Sequence, residues 1–319
     1  METKTKFDLK LGMATREAFG RALVLAGRKN KDVVALDADL SKSTYTNLFA
    51  NEFPERFFEC GIAEANMIAI GAGLASSGKI PFASSFSCFA LNKGFEQLRV
   101  TVAFPNVNLK VVGTHSGISI GEDGPSQMSI EDLSLACSLP GFIVLSPADE
   151  VAMKALVFAA VEHKGPMFIR AGRPKAPIVH SADQQFAIGK SVELIDGRDL
   201  TIIATGLLVA EAIRAQETLE ASGISARVID MYSIQPLDRA AIEKAARETG
   251  AILVAEEHLV NSGLGVRVAQ VISETRPCPM EFVGLTTYAE SGAPEELMQK
   301  YGLVAPNLVE AARRLLTRK

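Results

Sequence analysis

Glu64 sits inside "FFECGIAEANMIAIGAGLASSG", residues 57–78, with Ile62, Ala63, Ala65 and Met67 around it. Two readings of that carboxylate stand. It is a first-turn residue favoured by the positive end of a helix dipole, or it is a buried acid with chemical work. In the second case it needs a partner or a proton, because an unpaired buried carboxylate is costly. A second concentration of functional groups lies in "GTHSGISIGEDGPSQMSIEDL", residues 113–133, where His115, Glu122, Asp123 and Gln127 share one glycine-containing connection. Long polar loops of this kind carry function in compact domains. Ser126 or Ser129 is also placed to cap a following helix, through the Ser-x-x-Glu piece "SIED". Arg16 and Arg170 each offer a guanidinium that matches a carboxylate or phosphate, and each is equally suited to an internal ion pair. Phe86, Phe89 and Phe95 in "SSFSCFALNKGFEQLR" are spaced as core residues at a helix start.

Other chemistries find no support. Cys60, Cys88, Cys137 and Cys278 form no Cys-x-x-Cys pair, and His115, His163, His180 and His258 have no metal-ligand spacing. Reduced thiols in a cytoplasmic protein are the expectation. The N-terminal "METKTKFDLKLG" lacks the apolar core of a secretory signal. No apolar run approaches the roughly 20 residues of a membrane helix. A net charge of −4, without long runs of either sign, gives no electrostatic case for nucleic acid or an anionic membrane.

The elements that must position these groups fall into two α/β blocks. In the first, "DVVALDAD", "KIPFASSF", "NLKVVGTH", "GFIVLSPAD" and "PMFIRAGR" read as strands buried on both faces. Helices are predicted near 15–28, 64–76, 92–103, 129–138 and 149–163. In the second, "LTIIATG", "ARVIDMY", "AILVAEEH" and "MEFVGL" alternate with helices near 208–221, 238–249, 265–274 and 307–317. The proline-containing "RPKAPIVHSADQQF" interrupts the alternation. Two open parallel-sheet domains are therefore expected, 1–175 and 191–319, with a linker at 176–190. Ligands of such sheets sit beyond the strands' carboxyl ends. Those ends carry Asp37, Asp39, Ser84, Ser85, His115, Asp149 and Arg170 in the first block, and Thr205, Asp230, Glu256, Glu257 and His258 in the second.

Taken in order, "ATREAFGRAL", "LDADLSKST", "FFECGIAEANM", "IPFASSFSCFA", "GTHSGISIGEDGPSQM" and "LSPADE" resemble the C-terminal half of transketolase. "VAEEHLVNSGLG" and "ESGAPEELMQKYGL" resemble its C-terminal domain. The resemblance implies a thiamine diphosphate pyrimidine-binding domain followed by the C-terminal domain. It also implies a missing diphosphate-binding domain, supplied by another polypeptide. "GEDG" is not the Gly-Asp-Gly of the family's diphosphate and metal motif, because no asparagine follows between Asn108 and Asn261. The Mg2+ or Ca2+ is thus expected on the partner, with no metal site here. The expected assembly is a heterotetramer, two of each chain, acting on sugar phosphates.

Carried over residue by residue, the resemblance gives Glu64 the hydrogen bond to the aminopyrimidine that promotes its imino tautomer. Phe86 and Phe89 match the aromatic wall around that ring, and Asp39 an aspartate near the cofactor. His115 and Asp123 match groups bonding sugar hydroxyls, with His115 also counted as catalytic. Arg16, Ser43 and Arg170 match the sugar-phosphate site. Gln127 stands where single-chain transketolases have a substrate-contacting histidine, and Asn92 where a third aromatic is frequent. Ala63-Glu64-Ala65 replaces the usual Arg-Glu-His. The expected activity is transfer of a glycolaldehyde unit from a ketose phosphate to an aldose, by a chain inactive alone. The alternatives are a β subunit of a 2-oxoacid dehydrogenase, a deoxyxylulose-phosphate synthase-like enzyme, or a non-catalytic assembly subunit.

Overall fold

The structure is a computed structural model and describes residues 9–319. Residues 1–8, part of the predicted first domain and of the stretch read for a leader, lie outside the described residues. Among the described residues, no helix is long and apolar enough to cross a membrane.

A seven-stranded sheet runs in the order Ser233–Gln235, Ile143–Leu145, Met167–Arg170, Lys110–Thr114, Ile80–Phe86, Val33–Asp37 and Phe57–Glu59. All but the first strand are parallel. Strand alternation explains how it is covered. Val33, Ala35, Phe82 and Val112 face helices Thr15–Lys29 and Glu150–Glu162. Leu36, Ala83 and Val111 face helix Glu64–Ser76 and the helical run that follows Phe86. Both faces being buried, the strands read as unbroken apolar runs.

The second sheet has the order Met280–Leu285, Ile252–Leu259, Leu200–Ala204, Ala226–Asp230 and Val192–Ile195, with only the last antiparallel. One core cluster joins the two sheets without a break, from Leu133 and Phe142 to Ile203, Ile229 and Val254. The connection between them is also anchored, since Lys175–Pro177 pairs with Leu11–Ala14.

The two-sheet expectation holds, with additions. The short edge strands Phe57–Glu59, Val192–Ile195 and Ser233–Gln235 and the helix Pro294–Lys300 have no counterpart in the sequence reading. Ser233–Gln235 belongs in sequence to the second block yet completes the first sheet. The helix expected at 129–138 is shorter, Asp132–Cys137, and neither serine caps it. Gly117 bridges to Ser129 instead, and the Ser126 hydroxyl donates to Gln127 Oε1. The run expected at 92–103 is helical with wide π turns at Phe89–Lys93 and Leu98–Ala103.

Candidate active site

Glu64 is the first residue of its helix, follows Ala63 in a non-helical conformation, and is 4% exposed. Both sequence readings meet here: the carboxylate is in the first turn and it is buried. Its partner is Lys93, whose Nζ donates to Glu64 Oε1 at 3.1 Å. The same ammonium lies 4.2 Å from the Phe89 ring centroid. Phe89 stacks on Phe86, with centroids 5.6 Å apart and planes 13° from parallel. Phe86 in turn stacks on His115 at 3.8 Å. The column ends on Arg16, whose Nη1 is 3.1 Å from His115 Nε2. Core spacing for the phenylalanines is thus half right. Phe86 is buried, whereas Phe89 keeps part of its surface open.

His115 follows strand Lys110–Thr114 with φ +58, a conformation costing a non-glycine residue about 1–3 kcal/mol. Burial, then the charges of Arg16 and Arg173, push its pKa down to about 3. The ring is neutral. Arg16 also donates to Ser43 O at 2.7 Å and packs over Tyr45, while its Nε is buried without a hydrogen-bond partner among the described residues. An orphaned guanidinium nitrogen suits an anionic ligand.

The loop bearing Ser43 is tied down by Asp37. Its Oδ1 accepts from Leu40 N at 2.7 Å and its Oδ2 from the Thr44 and Thr46 hydroxyls at 2.7 and 2.8 Å. Burial raises the Asp37 pKa to about 6. Asp39 is exposed at φ +63, its N–H held by Glu59 Oε1 at 2.8 Å. Asp123 is exposed and pairs at 3.8 Å with Arg173. Gln127 is half-buried, and its main-chain carbonyl accepts from Cys88 Sγ. Asn92 donates to Glu131.

Arg170 is engaged within the protein. Its Nε donates to Asp132 Oδ2 at 2.8 Å and its Nη2 to the carbonyls of Glu257 and Ser129. Both members of the ion pair are buried, and Asp132 also takes the Ser87 hydroxyl at 2.9 Å. This arginine therefore fastens the two sheets together. Glu257 reaches back, accepting from Ser119 N at 2.6 Å. Gly117 allows that approach: its φ is +80 and a Cβ there would stand 2.1 Å from Glu257 Oε1. The residue that joins Arg16 is Arg173, one-third exposed and near enough to depress both Arg16 and His115.

Sequence reasoning missed Arg173 and Lys93. For Lys93 a signal existed, since it lies four residues after Phe89 in a helical run. For Arg173 none separated it from Arg170. Among the described residues, no group of three or more His, Cys, Asp or Glu side chains is placed to hold a metal ion.

The family models divide the chain between the two blocks. Residues 12–178 match "Transketolase, pyrimidine binding domain" and residues 189–308 match "Transketolase, C-terminal domain". The chain belongs to the transketolase family.

Within that family its full-length likeness is to split forms. It is 43% identical over 292 residues to a putative transketolase C-terminal section of Methanocaldococcus jannaschii, covering 90% of this chain and 92% of that one. It is 38% identical to a 6-deoxy-6-sulfo-D-fructose transketolase subunit of a Clostridium species, covering 95% of each. A solved split gene transketolase, described as an inactive beta4 tetramer, superposes with a TM-score of 0.91 at 47% identity, over 97% of this chain and all of that one. Against the transketolase of Mus musculus the identity is 37%, and the chain spans 51% of that protein's length.

Proposed function

We propose that this chain provides the pyrimidine-binding half of a thiamine diphosphate-dependent transketolase site, completed by a separate subunit that holds the diphosphate and its Mg2+ or Ca2+. The observation that carries this reading is the column Glu64–Lys93–Phe89–Phe86–His115–Arg16. A buried carboxylate beside a partly open aromatic face is the donor set that an aminopyrimidine fits. When bound, thiamine diphosphate supplies the carbanion chemistry for moving a two-carbon ketol unit from a ketose phosphate to an aldose.

The chain's own residues then have these tasks. Glu64 holds a proton at the ring nitrogen it faces. Phe86 and Phe89 enclose the ring and keep water from it. His115, its Nδ1 proton held on Thr114 Oγ1 at 2.8 Å, accepts from a sugar hydroxyl at Nε2 when Arg16, which donates to that nitrogen here, turns to the anionic end of the sugar. Asp123 and Gln127 bond further oxygens of the sugar. Arg16, with Ser43, and Arg173 take the anionic end of the sugar. Asp39 lies on the loop beside the cofactor side of the site. Four free cysteines suit work in the cytoplasm, in an assembly of two chains of each kind.

The test is reconstitution with a subunit carrying a Gly-Asp-Gly motif and its downstream asparagine. The pair should convert xylulose 5-phosphate plus ribose 5-phosphate and leave pyruvate untouched, and the lone chain should be inactive. Turnover by the lone chain, or by the pair on pyruvate, would overturn the reading. 6-Deoxy-6-sulfofructose belongs in the panel because the Clostridium relative is named for it, and a sulfonate presents the same anionic oxygens to Arg16 and Arg173.

A further inference from the structure

Lys93 lies outside the roles assigned above, and its geometry is specific. Among the described residues it is the side chain bonded to the Glu64 carboxylate, at 3.1 Å. It is half exposed while that carboxylate is 4% exposed. The same nitrogen stands 4.2 Å from the centre of the Phe89 ring. One ammonium therefore spans the acid and the aromatic face together. The local backbone delivers it there. Phe89–Lys93 is a π turn, a wide form that recurs at functional sites. Gly94 behind it leaves no room for a side chain: a Cβ would meet Ala90 O of the same turn at 2.5 Å and Ile68 Cγ1 of helix Glu64–Ser76 at 3.1 Å. A bulkier residue at 94 would push the turn, and Lys93 with it, away from Glu64.

We propose that Lys93 is a positioning residue that reserves the pyrimidine site, holding the Glu64 carboxylate and covering the Phe89 face until the cofactor's ring displaces its ammonium. This rests on the reading of the site as one for thiamine diphosphate. A ring bonded to Glu64 and stacked against Phe89 must occupy the gap that the ammonium fills. Binding then breaks one partly exposed ion pair and one cation–π contact. In return, the uncombined chain keeps its acid paired and its aromatic face covered. The ring affinity of the assembled pair is set in part by how readily Lys93 leaves.

The experiment is calorimetric titration of the reconstituted pair with thiamine diphosphate and, separately, with inorganic pyrophosphate, both with Mg2+. Lys93→Met keeps the length and removes the charge. It should tighten thiamine diphosphate binding about five- to tenfold, the size of the two lost contacts. Pyrophosphate lacks the ring and should bind the variant and the wild type alike. Lys93→Arg restores a cation and should return the thiamine diphosphate affinity to the wild-type value. Unchanged or weaker thiamine diphosphate binding by Lys93→Met, in a pair whose wild type binds it, overturns the proposal. An equal shift for both ligands also overturns it, by showing a general change of the site. If Lys93→Met fails to assemble, Lys93→Gln is titrated in its place and judged by the same outcomes. A wild-type pair that binds pyrophosphate but not thiamine diphosphate refutes the underlying reading of the site, which is a different result.

Discussion

Arg16 Nη1 stands 3.1 Å from His115 Nε2, and a guanidinium can only donate, so the imidazole accepts there. Its proton is on Nδ1, facing Thr114 Oγ1 at 2.8 Å. The pKa pushed down to about 3 agrees with a neutral ring. His115 is thus a fixed neutral acceptor at the pH where most histidines titrate.

The first consequence concerns pH. His115→Asn keeps a hydrogen-bonding side chain and loses the ring stacked on Phe86. It should lower kcat/KM of the reconstituted pair about tenfold, the scale of one well-placed hydrogen bond to a charged partner. The profile between pH 5 and 8 should keep its shape, because His115 does not titrate there. An acid limb that vanishes in the variant would show that His115 carries a proton in catalysis.

Glu64→Gln preserves size and a hydrogen bond while removing the ionisable group. Assembly, followed by sedimentation, should be intact. Turnover should fall by about 100- to 10,000-fold, the range for loss of a general acid–base group. Near-normal turnover would remove Glu64 from the chemistry.

Arg170 and Arg173 should separate cleanly. Arg173→Ala should raise KM for phosphorylated sugars more than for unphosphorylated ones. Arg170→Ala strands the buried Asp132 carboxylate and should destabilise the fold by about 3–5 kcal/mol in denaturant unfolding. An Arg170→Ala protein of wild-type stability with an impaired KM for phosphorylated sugars alone would make Arg170 a ligand of the sugar phosphate.

His180 offers a pH test of the joint between the sheets. Its Nδ1 is 3.0 Å from Asp149 Oδ2 in the first block, and its Nε2 is at ion-pair distance, 3.2 Å, from Asp230 Oδ2 in the second. Although burial acts against the charge, the two carboxylates raise its pKa from 6.5 to about 9. The folded state therefore binds the proton more tightly than the unfolded one. The resulting stabilisation is complete below pH 6.5 and is lost as pH rises through about 9. Relative to His180→Asn, the wild type should lose melting temperature from pH 6.5 to pH 9. A pH dependence identical in wild type and variant would remove His180 from the joint's titration.

Much of this protein was legible along the chain. Helix Glu64–Ser76 begins at the residue the pattern marked, and helix Leu208–Ala221 has the expected bounds. Asp149 and Asp238, predicted as helix starts, cap their helices by accepting from Ala152 N and Ala241 N. These features depend on neighbours within a turn or two, so periodicity and cap chemistry suffice. The motifs from "ATREAFGRAL" to "LSPADE" also carried the family, because several local signatures agreed in order.

Tertiary structure alone decided how each functional group is used. Arg170 and Arg173 are three residues apart and chemically identical. Arg170 turns inward because Asp132 and the Glu257 carbonyl, 38 and 87 residues away, meet its guanidinium. The short strand Ser233–Gln235 joins the first sheet because the exposed edge of Ile143–Leu145 pairs with it. The neutrality of His115, the charge on His180 and the pairing of Glu64 with Lys93 have the same origin. A sequence specifies which groups can ionise or donate. Burial and the opposing charges that folding brings near determine which form each one takes.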